Sequence, residues 1–412
     1  MSSIISQKFR LHDVVNEKDR DAIEQARAEL FTEMNEGYPV YLSEESDKDL
    51  ALIKKIAKNI KDHFSDLVII ATGASNTIPY SVASLSTLSN VNVSYLDNAD
   101  QISVDKLLNK LNPKHTAFLT ISKSGETIET LAVMLLCIDW ININLGSTKP
   151  AEHFFVITDP VENSLRKIAQ HLNLVILDHP KSTGGRYAAF SSVGLLVAEV
   201  VGFNAEVIID HAKEGFTSQI NANSWVCEGA SYMLSMSRLY SNSVFMIYGD
   251  QFNGFSQWYR QLIAESLGKK LQGINPMIAA GLIDQHSQLQ LYLDGPNDKF
   301  FTFLAQAIKS DDEPKISNQP ADFGLNYLSG KSLKDIMNSQ FINVQEMLYE
   351  CKKNIRVIYT KNLQEEFFAE FMMGQMLEVI LFAYTKHINP FNQPAVEKIK
   401  DGIKHILKKG IY

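Results

Sequence analysis

Leu67–Thr77 reads LVIIATGASNT, and a helical pattern follows from Ile78. Six consecutive apolar or β-branched residues form a strand buried on both faces, because an edge or half-exposed strand would alternate with polar residues. The turn Gly73-Ala74-Ser75-Asn76-Thr77 then hands the chain to a helix. The same grammar recurs on either side. Val91–Leu96, Thr116–Ile121, Phe154–Thr158 and Leu174–Leu177 are apolar runs separated by helical stretches, which predicts a parallel, doubly wound sheet. Ser243–Tyr248 (SVFMIY) restarts the pattern, followed by a polar turn at Gly249–Gly254 and a helix through Leu267. Ile355–Tyr359 precedes a long helix from Leu363 to His387, and Asp19–Phe31 and Ser46–His63 are amphipathic. The expected fold is α/β, with two doubly wound parallel-sheet domains (αβα sandwiches) at 45–220 and 221–395. A helical segment at 1–44 and a C-terminal helix at 396–412 wrap them. The stretch Asp294–Leu333, richer in Pro, Asp, Ser and Gly, reads as a β-rich or irregular excursion from the second domain.

The 412 residues suffice for two or three domains, and 45% hydrophobic with 21% charged residues is an ordinary globular composition. A formal net charge of −8 without basic runs disfavours nucleic acid as a partner. An anionic ligand must therefore be held by local geometry. Cys137, Cys227 and Cys351 have no ligand-like spacing and read as small buried hydrophobes in a reducing compartment. The N-terminus lacks the apolar core of a signal peptide, and Leu131–Ile138 is too short an apolar run to span a bilayer. The expected setting is cytoplasmic, without a membrane partner.

Ile121–Thr130 (ISKSGETIET) ends one expected strand and opens a helix near Glu126. Ser122, Lys123, Ser124 and Gly125 lie between, with Thr127 in the first turn. Three hydroxyls and the free N–H groups of a helix start suit a phosphate, and Gly125 allows close backbone approach. The same residues also describe an ordinary helix start, with Ser124 as N-cap and Glu126 complementing the dipole. Gly73-Ala74-Ser75 is an equivalent turn in the adjacent unit, placed to grip one ligand together with it.

Four further segments follow in order. They are Gly184-Gly185-Arg186-Tyr187, Gln261–Lys269 (QLIAESLGK), Asp284–Leu291 (DQHSQLQL) and Asn389–Glu397 (NPFNQPAVE). Together with SKSGETIET they resemble the glucose-6-phosphate isomerases, two-domain members of the sugar isomerase (SIS) superfamily, over about residues 65–405. The resemblance implies reversible isomerisation of glucose 6-phosphate and fructose 6-phosphate through a cis-enediol, in glycolysis and gluconeogenesis, with no cofactor and no metal. It implies Glu265 as general base, Arg186 as the cation that stabilises the enediolate, and His286 with Lys400 for ring opening. Ser122, Ser124 and Thr127 would hold the phosphate, with Gly73 and Ser75 in the companion loop; Gln261 and Gln393 would contact sugar hydroxyls, and Lys123 and Gly185 would complete the substrate-binding set. It also implies a homodimer in which His286 completes the neighbouring chain's site. Taken singly, each of these residues reads as readily as a solvated or structural one; the ordered set carries the assignment.

The chain departs from the family at two places. Ile399 stands where a VExGK pattern has glycine, which leaves Lys398 as a neighbouring alternative to Lys400; Ala74 stands where a second glycine is usual. Two other readings belong to the same superfamily: a dual phosphoglucose/phosphomannose isomerase, and a non-catalytic sugar-phosphate sensor. The sensor would carry a helix-turn-helix segment with a basic face and lack the base.

Overall fold

The computed structural model describes residues 3–34, 45–87, 89–146, 149–221, 224–307, 313–317 and 322–410, without the side chains of 34, 45–49, 397–401 and 404. Among the described residues, ten strands form two five-stranded sheets. They are β1 (Ile5–Arg10), β2 (Asp66–Ile70), β3 (Asn92–Leu96), β4 (Thr116–Ile121), β5 (Phe154–Thr158), β6 (Val175–Asp178), β7 (Asn242–Tyr248), β8 (Asn275–Ala280), β9 (Lys299–Gln306) and β10 (Ile355–Thr360). The first sheet has the order β3-β2-β4-β5-β6 and is parallel throughout. The second has the order β1-β10-β9-β7-β8, parallel except for β1 against β10.

Both sheets are covered on both faces, and the period of two decides which side chain enters which core. Leu67 and Ile69 join the large central core, while Val68 and Ile70 face a smaller one on the outer side of the first sheet. In β7, Phe245 and Ile247 enter the same central core, and Val244, Met246 and Tyr248 enter a third cluster. The central core is therefore shared by the two sheets. Its axis is the helix Glu365–Thr385, buried on all sides along most of its length and apolar there apart from the buried Glu370, Gln375 and Glu378. By length and composition this helix and Ile128–Leu145 could each cross a membrane. Glu365–Thr385 is instead the core helix. Ile128–Leu145 packs Val133, Met134, Cys137, Ile138 and Ile141 against the first sheet and leaves Leu135, Leu136 and Ile143 exposed. The apolar run is thus longer than the sequence reading allowed.

Three further expectations change. The first 44 residues are not helix alone, because β1 forms an edge of the second sheet. Gln7 on β1 explains the docking: its Oε1 accepts from Arg356 Nε at 2.9 Å, and its Nε2 donates to Glu228 Oε2 at 2.7 Å. The stretch 294–333 is no excursion at its start, since β9 is the central strand of that sheet. Cys351 is exposed, unlike Cys137 and Cys227, and burial pushes the Cys137 thiol up to about 12.

One charged pair sits inside the shared core. Arg356 and Glu378 are each 2% exposed at the side chain, and Arg356 Nη1 donates to Glu378 Oε2 at 2.8 Å. Gly229 makes room for them: a Cβ there would stand 2.3 Å from Arg356 Nη2 and 2.4 Å from Glu378 Oε1. A buried pair gives little net stability when intact, but a lone buried charge is expensive. Arg356→Met is expected to lower the unfolding free energy by about 3–5 kcal/mol in urea titration, with Arg356→Met/Glu378→Leu recovering most of the loss. Gly229→Ala is expected to cost about 1–3 kcal/mol by overpacking.

Candidate active site

In a doubly wound sheet, ligands bind where strand order reverses, beyond the carboxyl ends of the strands. Here that place lies between β2 and β4, because the chain moves from β2 outward to β3 and then crosses back to β4. The two turns singled out in the sequence are the ones that leave these strands. Gly73 is the N-cap of Ala74–Ala83 with φ 58°, and no side chain caps that helix. Its first turn begins at Ala74, four residues before the pattern suggested. Ala74 is an ordinary buried helical residue there, so the missing second glycine is accommodated.

The second turn also shifts. The helix after β4 is Ile128–Leu145, with Thr127 rather than Ser124 as N-cap and again no side-chain cap. Helices Gln101–Leu108 and Ser164–His171, by contrast, are capped by Asp100 and Asn163. Ser122 Oγ donates to Thr127 Oγ1 at 3.1 Å, and Ser124 Oγ accepts from Glu126 N at 3.3 Å. Glu126 serves the neighbouring helix: its Oε1 accepts from Ser164 N at 2.8 Å and Ser164 Oγ at 2.6 Å. Gly125 is required on two counts. Its φ is 62°, and a Cβ would lie 1.9 Å from Asn163 Oδ1. The uncapped N–H groups at both helix starts, on one sheet edge, form a donor-rich setting for an anion.

Lys123 leaves this loop sideways and donates from Nζ to Thr183 O at 2.8 Å. Burial lowers its ammonium, against the pull of Asp159, whose own carboxyl burial raises. His179, packed beside them, is pushed down to about 4 by burial, so its 3.7 Å approach to Asp159 is that of a neutral ring. Thr183 leads into the 3₁₀ segment Gly185–Phe190, which carries Arg186. A Cβ at Gly185 would meet nothing within 4 Å, so packing gives no reason for a glycine there.

Arg186 is 2% exposed. Its Nε donates to Ser266 Oγ at 2.8 Å, and its Nη1 to Glu265 Oε2 and Gln393 Oε1, both at 3.0 Å. Its Nη2 donates to Pro390 O at 2.5 Å and Asn392 O at 3.1 Å. All five guanidinium N–H donors are thereby engaged. Glu265 Oε1 accepts from Gln261 Nε2 at 2.9 Å. Gln261 in turn lies against Gly73, where a Cβ would stand 3.1 Å from its Nε2. This last contact follows from how two helices cross. Asn253–Leu267 runs antiparallel along Ala74–Ala83, with Gly254 against Ser81 at one end and Gln261 against Gly73 at the other.

Gly73, Gln261, Glu265, Arg186 and Gln393 thus form one connected cluster, joined through Lys123 and Thr183 to the Ser122–Thr127 loop. His286 stands apart, exposed at the end of Gly281–Gln285; among the described residues no hydrogen bond or ion pair ties it to Arg186 or Glu265. Lys398 and Lys400 lie on the helix Pro394–Lys409, but their side chains fall outside the described residues. The sequence reading gave no role to Asn163, Ser266 or Lys269. The last two lie inside the ESLGK segment, which was the available signal; Asn163 had none beyond being a capping residue.

A family model described as phosphoglucose isomerase matches residues 55–288. A glucose-6-phosphate isomerase of Campylobacter jejuni is 32% identical over 317 residues, covering 76% of this chain and 77% of the relative. One of Carboxydothermus hydrogenoformans is 28% identical over 391 residues, covering 87% and 82%. Among solved structures, a hypothetical protein of Thermus thermophilus superimposes with a TM-score of 0.85 at 26% identity, covering 98% of this chain and 100% of the other. A glucose-6-phosphate isomerase of Chlamydia trachomatis, at 16% identity, shares the fold with a TM-score of 0.83, covering 100% and 90%. Matched over more than half its length by the family model, and at 32% identity by a relative of which it covers 77%, the chain belongs to the phosphoglucose isomerase family.

Proposed function

We propose that this enzyme interconverts glucose 6-phosphate and fructose 6-phosphate in the cytoplasm, with Glu265 moving the proton. The observation that carries the residue assignment is the Glu265 carboxylate, held between Gln261 and the buried Arg186 at the edge of the first sheet. A proton beside a carbonyl is weakly acidic, so its removal needs an aligned base and a cation for the charge that develops on oxygen. Glu265 takes the proton from C2 of the open-chain aldose, and the electron pair of the C–H bond forms the enediol double bond. The same carboxyl returns the proton to C1, while a proton passes between the two oxygens.

Arg186 stays charged throughout. Its Nε and Nη2 are tied to Ser266 and to backbone carbonyls, whereas Nη1 is held only by the side chains of Glu265 and Gln393. That corner can turn toward the enediolate with small side-chain rotations. Ser122, Ser124, Thr127 and the helix starts at Gly73–Ser75 take the phosphate, and Lys123 braces the loop from behind. Gln261 and Gln393 contact sugar hydroxyls; Lys400 assists ring opening. The enzyme works as a homodimer in which the exposed His286 serves the neighbouring site.

Glu265→Gln is expected to lower kcat by roughly 10²–10⁴-fold in a coupled assay from fructose 6-phosphate, with binding of a sugar-acid phosphate retained. Full activity in that variant would refute the assigned base. Gly125→Ala is expected to raise KM about tenfold or more, since it strains the phosphate loop by about 1–3 kcal/mol. An unchanged KM would remove the loop from the binding site. Lys400→Ala against Lys398→Ala identifies the ring-opening lysine by which one loses activity on cyclic substrate. Mixing His286→Ala with Glu265→Gln chains restores activity if sites are shared across a dimer, and leaves both inactive if they are not. Turnover of mannose 6-phosphate distinguishes the dual-specificity reading.

A further inference from the structure

The segment 386–393 joins the core helix Glu365–Thr385 to the helix Pro394–Lys409 and brings Gln393 to Arg186. It is secured by cations. His387 O accepts from Lys270 Nζ at 3.0 Å, and Asn389 O from Lys269 Nζ at 2.5 Å. Pro390 O and Asn392 O accept from Arg186 Nη2. Among the described residues, the carbonyls of 389–392 accept no backbone hydrogen bond. Three side chains therefore do what a strand or helix partner would otherwise do, and two of them come from one turn.

That turn is built for the purpose. Asn253–Leu267 ends at Gly268, and Lys270 (φ 53°) and Leu271 (φ 59°) both adopt the left-handed conformation that residues with a Cβ avoid. The consequence is that Lys269 and Lys270 both reach the strap. Lys269 lies four residues beyond Glu265 on the same chain segment, so the base and the strap share one support.

We propose that Lys269 is a positioning residue of the isomerase, whose ammonium on Asn389 O fixes the strap and thereby the place of Gln393 against Arg186 and Glu265. The inference rests on the reading of Glu265 as base. Groups facing Lys269 are Arg186 and Glu265 across the cluster and the Asn389 carbonyl on the strap. Burial, reinforced by Arg186 and opposed by Glu265, brings Lys269 down to about 8, so the clamp is charged at neutral pH. The folded value lies below the ordinary 10.5, so between about 8 and 10.5 the unfolded chain binds more protons at this position. The residue's contribution to stability accordingly rises with pH across that window, and the unfolding free energy of wild type minus Lys269→Met should grow from pH 7.5 to pH 10.

The deciding experiment compares wild type, Lys269→Met, Lys269→Arg and Glu265→Gln by steady-state kinetics and amide hydrogen exchange. Lys269→Met is expected to lose roughly tenfold or more in kcat, the scale of a charge-assisted hydrogen bond, with KM for fructose 6-phosphate changed about threefold or less. Exchange of the strap amides at 386–393 should quicken while the two sheets stay protected. Lys269→Arg, which keeps a charged donor, should restore both kcat and strap protection. Wild-type kcat in Lys269→Met overturns the proposal. So does a kcat loss with unchanged strap exchange, or one that arginine does not rescue. Glu265→Gln separates the two readings: it should lose kcat with the strap still protected, and if it stays active the assigned base falls while the strap measurements still judge Lys269.

Discussion

The site depends on a buried guanidinium with no donor left over. Arg186 is enclosed, and an arginine cannot shed its proton to escape that environment. Every N–H must therefore find an acceptor, and the acceptors come from three separate places: Glu265 and Ser266 on one helix, Pro390 and Asn392 on the strap, and Gln393 at the start of the last helix. Satisfying one side chain brings together segments about 80 and 205 residues downstream of it. Trp258 adds a bond from Nε1 to Arg186 O at 2.9 Å, which fixes the backbone as well as the head.

The side of the site with the two helix starts is arranged by sheet topology. Two strand-to-helix turns can share one ligand only if their strands are neighbours and their helices leave toward opposite faces. The reversal between β2 and β4 supplies that geometry. Glycine decides the finer fit. Gly125 lets Asn163 close against the loop, and Gly73 lets Gln261 lie on the other turn. The second contact joins the two halves, because Gln261 also donates to Glu265.

Most strands of the first sheet are legible as apolar runs because burial on both faces removes polar residues; β4 and β5 fall where the runs do. β8 and β9 are harder to read. β8 contains Pro276 and is only partly buried, and β9 starts within a stretch whose composition suggests loop. β1 carries Gln7, Lys8 and Arg10, and pairs at an edge where one side needs no apolar partner. Local pattern cannot announce such a strand, since what holds it is the ladder to β10, with Arg356 on Gln7, from the far end of the chain.

Residue types and their order determined the chemistry on offer: a hydroxyl-rich glycine loop, an arginine after two glycines, a carboxylate in ESLGK, and a late Gln-Pro helix start. These were readable because they are short and local. Tertiary structure alone decided that Glu126 braces a neighbouring helix, that Lys123 turns to Thr183, and that Lys269 and Lys270 hold the strap. The physical reason is the same in each case. A charged side chain can reach several acceptors, and which one it takes depends on what the fold leaves within hydrogen-bond distance once water is gone.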